Sequence, residues 1–116
     1  MGKCKVKSKV AFSVVEEQTA AAVEQTVRCA MNLLEWDQGL GPASIFLKLN
    51  LLSREVMPGQ CTSPWVFAAV LAYVKDRFPR AELIFGDCEV ATCRQVDDAV
   101  RTWGLLDIGV RFGARF

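Results

Sequence analysis

From the N-terminus the chain first alternates charged with other residues, Lys3, Lys5, Lys7 and Lys9 standing between Cys4, Val6, Ser8 and Val10. It then runs apolar through residues 10–15, Val-Ala-Phe-Ser-Val-Val. A short β-branched and aromatic run of this kind predicts a buried strand, with the lysines on its solvated edge. From Thr19 the composition changes to alanine, glutamate and glutamine, and Val23, Val27, Ala30, Met31 and Leu34 recur at three- and four-residue spacing. Those positions stack on one face of a helix, which ends near Trp36 because Gly39, Gly41 and Pro42 cannot continue it.

Residues 45–50, Ile-Phe-Leu-Lys-Leu-Asn, predict a second strand, apolar in its first half and polar where it ends. The loop over residues 51–60 has no clean period and is longer than the two to six residues usual between strand and helix. Ser63-Pro64 predicts a helix start, with serine as a side-chain N-cap and proline at the first helical position. Phe67, Val70, Leu71 and Val74 supply the apolar face of that helix, and Pro79 ends it. Leu83, Ile84 and Phe85 form a third strand that stops at Gly86-Asp87. A helix over residues 95–103 follows on Val96, Val100 and Trp103, then a short one over residues 106–112. The last four residues, Gly-Ala-Arg-Phe, open another strand. Alternating strands and helices predict an α/β fold: one domain over residues 1–116, with a three-layer, Rossmann-like parallel sheet, helices on its faces, and an incomplete C-terminal end.

Composition narrows the function classes. With 52% hydrophobic residues the chain can bury a core, and its 14 basic against 13 acidic residues give no long-range pull toward nucleic acid. No run approaches the roughly 18 apolar residues of a membrane helix, and Glu16 and Glu17 follow the apolar stretch where a signal peptide would carry a cleavage site. The five cysteines have no disulfide-scaffold rhythm, which suits a reducing compartment and a cytoplasmic location. Histidine is absent, which removes Ser-His-Asp and Cys-His mechanisms and leaves acid–base chemistry to Lys, Asp, Glu or Cys.

Ligands of open α/β sheets bind outside the carboxyl ends of the strands. There the second strand delivers Lys48 and Asn50, the third delivers Gly86 and Asp87, and the turn into the second helix delivers Gly59, Gln60, Cys61, Thr62 and Ser63. The free N–H groups of a helix N-terminus, together with Lys48, suit a small anion such as a phosphate or carboxylate. Lys48 and Asp87 are the candidate catalytic pair, Asp87 orienting or exchanging a proton; as surface positions, both should tolerate alanine with little loss of stability. The remaining seven residues are candidate ligand contacts. The bland reading of the same residues is a solvated lysine, helix caps at Thr62 and Ser63, and a turn-closing Asp87.

The spacing of Cys88 and Cys93 matches neither zinc ribbons nor ferredoxin clusters, so no metal site is assigned. Cys61 and Cys88 are the candidates for a reactive or metal-binding thiol, whereas Cys29 reads as core packing. Trp36, Trp65 and Trp103 read as buried.

Three stretches together resemble the N-terminal half of DUF362 proteins: residues 45–53, residues 58–66 with Pro58-Gly59-Gln60-Cys61-Thr62-Ser63-Pro64, and Gly86-Asp87 with residues 90–104. That family has a Lys-Pro-Asn or Lys-Val-Asn strand end, a Thr-Thr or Cys-Thr turn before a proline-started helix, and a Gly-Asp strand end. Leu49 stands where many members have proline and Cys88 where serine or alanine is usual, so no hydroxyl role carries over to Cys88. The resemblance implies a cytoplasmic protein associated with iron–sulfur chemistry. Longer members carry a 4Fe-4S cluster, whose clustered cysteines have no counterpart here, and the cofactor is left open. The competing reading is a non-catalytic module that forms a homodimer or docks a missing second half through an unpaired strand edge.

Overall fold

The computed structural model describes residues 8–55, 57–89 and 95–116. Its elements are α1 (Ala20–Leu34), β1 (Ser44–Lys48), α2 (Pro64–Arg77), β2 (Glu82–Gly86), α3 (Val96–Thr102) and α4 (Leu105–Arg111). The fold is mixed α/β. β1 and β2 are parallel, in a register that runs from Ser44 opposite Glu82 to Lys48 opposite Gly86. On the other edge of β2, Phe85 N–H donates to Arg115 C=O and Arg115 N–H to Leu83 C=O, both at 2.8 Å. The chain end thus lies beside β2 as a parallel bridge, where the sequence predicts the opening of a further strand.

Local chemistry explains the helix ends. The Thr19 side chain accepts the Ala22 N–H at 3.1 Å and starts α1, which closes on a left-handed Glu35. Pro64 sits at the first position of α2, where its missing N–H costs no hydrogen bond, and Lys75 and Arg77 complement the dipole of the last turn. Ser63 makes no side-chain cap, contrary to its predicted role; its backbone C=O accepts from Phe67 instead. Between α3 and α4 the chain turns sharply at Gly104, whose φ of 70° would strain a residue with a side chain.

The core lies between the helices and one face of the strand pair. Leu83 and Phe85 are buried there, and the Phe85 ring lies 5.1 Å from that of Phe67 on α2. Leu71, Val100 and Leu105 complete the cluster from α2, α3 and α4. α1 docks on α2: Arg28 pairs with Asp76 at 2.9 Å, and Tyr73 donates to Asn32 at 3.0 Å. Asp37, buried just after α1, pairs with Arg77 at the end of α2.

Three sequence expectations are corrected. Residues 10–15 form no strand; Val10 and Phe12 are 89% and 86% exposed. Strand propensity needs a neighbouring strand, and this segment instead runs beside α1, with Ser13 and Val14 across a cleft from Ala22 and Cys29 and Lys9 paired with Glu35 at 2.8 Å. Of the tryptophans only Trp103 is buried, whereas Trp36 and Trp65 keep much of their surface in solvent. Cys29, expected in the core, is exposed because α1 meets α2 along a narrow stripe in which only Val23 is buried. Cys4, Cys93 and the lysines at positions 3, 5 and 7 lie outside the described residues.

α4 approaches β2 so closely that a Cβ added at Gly109 would run into the Phe85 ring. Gly109→Ala should therefore destabilise the fold by about 1–3 kcal/mol through overpacking, read as a lower urea midpoint with unchanged slope.

Candidate functional site

The parallel register brings the two strand ends side by side. Leu49 N–H donates to Gly86 C=O at 2.7 Å, one step past the last strand residues, and Asp87 follows directly. Its carboxylate has three donors. Oδ1 accepts from Lys48 Nζ at 2.8 Å and from the Cys88 N–H at 2.9 Å, and Oδ2 accepts from the Leu51 N–H at 2.8 Å. Lys48 Nζ also donates to Leu49 C=O at 3.0 Å. The two partners differ in environment: the Asp87 side chain is 7% exposed and that of Lys48 is 63% exposed.

The loop beyond β1 folds back on itself. Asn50 N–H donates to Thr62 Oγ1 at 2.8 Å, and Thr62 N–H returns a bond to Asn50 C=O at 2.9 Å. The Asn50 amide donates to Gln60 C=O at 2.7 Å, and Leu52 N–H points at the buried Cys61 sulfur at 3.4 Å. Gln60 and Cys61 N–H groups both reach Met57 C=O, in a turn that Gly59 completes with a φ of 79°. Trp103 Nε1 holds the outer part of the loop through Glu55 C=O at 3.2 Å.

Lys48 and Asp87 therefore form one hydrogen-bonded cluster at the carboxyl ends of β1 and β2, and Asn50, Gln60, Cys61 and Thr62 belong to the folded loop beside it, the two being joined through the backbone of residues 49–52. Gly86 is the strand end that carries Asp87, and Ser63 leads from the loop into α2. Gly59 shapes the turn with open space around it. Cys88 is exposed beside Asp87. Among the described residues no group of three or more His, Cys, Asp or Glu side chains could hold a metal ion. Clefts lie along α1 by Ser13 and Cys29, between Trp65 and Phe112, and by Asp37, Arg77 and Arg80; Lys48 and Asp87 line none of these.

Sequence reasoning missed that Leu49 and Leu51 are core residues and that the Leu51 N–H is a ligand of the carboxylate. The signal was present: Ile45, Leu47, Leu49 and Leu51 keep period two beyond the end of β1.

Charge follows this wiring. Burial pushes the Asp87 carboxyl up, but the bonds from Lys48, Leu51 and Cys88 together outweigh it and hold the group below the ordinary aspartate range. The bond to Asp87 raises the Lys48 ammonium above the usual lysine value. A proton acceptor working near neutral pH needs a raised carboxyl pKa, and a nucleophilic lysine needs a lowered one. Both shifts run the other way, so the pair is suited to holding charge in place.

Comparison of the chain with protein-family models, with curated proteins and with solved structures gives no match. No described helix is long and apolar enough to cross a membrane.

Asp87 is not the tolerant surface position that its place at a strand end suggested. Asp87→Ala strips the buried Leu51 N–H of its partner and should cost on the order of 1–3 kcal/mol, whereas Lys48→Ala should cost clearly less. The same carboxylate sets a pH dependence. Because its folded pKa is depressed, its contribution is complete above about pH 4, the range of an unfolded aspartate, and is lost as pH falls through the folded value. The stability gap between the unmodified chain and Asp87→Asn should be flat from neutral pH to about pH 5 and narrow below about pH 4, as followed by denaturant midpoints.

Proposed function

We propose that this chain is a DUF362-like α/β module that binds a small anion at the carboxyl ends of its parallel strands. Lys48 is the charged contact and Asp87 the group that positions it. The carrying observation is an exposed ammonium anchored on a buried carboxylate at that edge of the sheet. A lysine has three N–H donors, and Asp87 and Leu49 C=O take two, which leaves one for a ligand. The first turn of α2 adds the N–H groups of Trp65 and Val66, with no Ser63 side-chain cap occupying them. Ser63 and Asn50 are exposed at the rim, while Thr62, Gln60, Cys61 and Gly59 hold the loop that frames it.

In this reading the function is binding rather than proton transfer, because the shifts of Lys48 and Asp87 oppose acid–base work. A three-layer, Rossmann-like sheet would arise by adding strands and helices to the described pair. The cytoplasmic location rests on cysteine usage, and the iron–sulfur association rests on the family resemblance.

Titration with inorganic phosphate, followed by amide NMR, should move the signals of Ser63, Trp65 and Val66 in the unmodified chain. Lys48→Ala should weaken the apparent affinity roughly tenfold, as loss of one charge-assisted bond implies. Equal affinity in the variant, or no response of those amides to phosphate, would end the anion-binding reading.

A further inference from the structure

At the end of the sheet opposite Lys48, two turns line a cleft of about 440 Å³. One follows α1 and is closed by the Leu40 N–H on Asp37 C=O at 3.1 Å. The other follows α2 and is closed by the Ala81 N–H on Phe78 C=O, also at 3.1 Å. Two contacts fix the turns relative to each other. The buried Asp37 carboxylate accepts from Arg77 Nε, and where β1 and β2 begin the Glu82 N–H donates to Ala43 C=O at 2.9 Å.

Asp37, Arg77 and Arg80 are the polar side chains of this lining. Because Asp37 is occupied by Arg77, the side-chain capacity left over is all guanidinium N–H: the two Nη groups of Arg77 and the whole fork of Arg80. Arg80 has no ion-pair or hydrogen-bond partner among the described residues, and Glu82, two positions on, is bound by Arg115 at 2.8 Å. The dipole of α2 accounts for Lys75 and Arg77 in its last turn but not for Arg80, which lies beyond the helix. The backbone N–H groups of Gly39, Gly41 and Arg80 also lack partners among the described residues. Beside these donors stand Leu40, 53% exposed, and the Phe78 ring, which Trp36 meets edge-on at 6.1 Å.

We propose that this cleft binds a phosphate monoester with a small apolar body, its phosphate on Arg77 and Arg80 and its body against Leu40 and Phe78. Each guanidinium offers a planar fork that matches two phosphate oxygens, whereas a carboxylate would fill one fork and leave the other unmatched. Two arginines against one aspartate leave the lining net positive, which suits a dianion. The buried Asp37 holds Arg77 in place before any ligand arrives, so less side-chain freedom is lost on binding. A few converging polar groups between apolar walls, in a space of this size, are the ordinary makings of a small-molecule site. This cleft shares no residue with the site at Lys48, and either can fail without the other.

Phenyl phosphate is the probe. Titrated into the full chain from about 10 µM to about 10 mM, it should move the amide NMR signals of Gly39, Gly41 and Arg80. It should bind there roughly fivefold more tightly than inorganic phosphate, because its ring meets Leu40 and Phe78. Arg80→Ala should weaken this response roughly tenfold and leave that of Ser63, Trp65 and Val66 unchanged, whereas Lys48→Ala should do the reverse. Arg77→Lys keeps a cation beside Asp37 but removes the fork; it should also weaken binding, with an unchanged far-ultraviolet dichroism spectrum. A response at Gly39, Gly41 and Arg80 without one at Ser63, Trp65 and Val66 would keep this cleft and remove the site at Lys48. No response at Gly39, Gly41 and Arg80 would overturn the proposal, as would equal affinity in Arg80→Ala or equal affinity for inorganic and phenyl phosphate. Should Arg77→Lys fail to fold, Arg80→Ala, at an exposed position outside the helices and strands, decides alone.

Discussion

One carboxylate holds the carboxyl ends of the two strands together. Asp87 receives an ammonium from the end of β1, a backbone N–H from the loop beyond it and the N–H of its own successor. Without such a partner the Leu51 N–H would be a buried, unsatisfied donor, a situation folded proteins rarely tolerate. With it, Leu49 and Leu51 can both enter the core while the intervening Asn50 stays at the surface and closes onto Thr62 and Gln60. The long loop into α2 is ordered from this point outward, and its far side is held by Trp103.

Much of this was legible in the sequence, for identifiable reasons. α2 and α3 begin and end where proline, glycine and the apolar spacing place them, because those signals act within one turn of helix. The parallel pairing of β1 and β2 follows from two apolar runs joined through a helix, for which a right-handed crossover is the ordinary solution. Residues 10–15 show the limit. Their β-branched composition is as strand-like as that of residues 45–49, but the neighbour this run finds is the flank of α1 and not a strand, so Val10 and Phe12 stay in water. Cys29 and Trp65 illustrate the same limit for side chains: helical periodicity marks the apolar stripe but does not say how much of it a neighbour will cover.

The candidate site was legible as a set of polar residues at two strand ends and one turn, but its wiring was not. Nothing in the order of residues says that the Asp87 side chain turns inward to meet a backbone N–H thirty-six positions earlier in the chain. That inward turn changes the chemistry. A carboxylate with three donors is stabilised as an anion, and its lysine partner is stabilised as a cation, so a pair that reads as acid and base becomes a fixed charge on a fixed support.

The asymmetry within the pair then separates structural from functional weight along one strand. Asp87 is buried, so its interactions are poorly screened and its loss reaches the core through Leu51. Lys48 is largely solvated, so its pairing contributes little to folding, and the charge it presents at the surface can serve another purpose at small cost to the fold. The same contact draws the ammonium away from the outer edge of β1 and leaves Phe46 as the dominant feature of that edge. A single ion pair thus shapes both surfaces that β1 offers, the polar tip and the apolar side. A substitution at Lys48 acts on both at once, whereas one at Phe46 acts on the side alone.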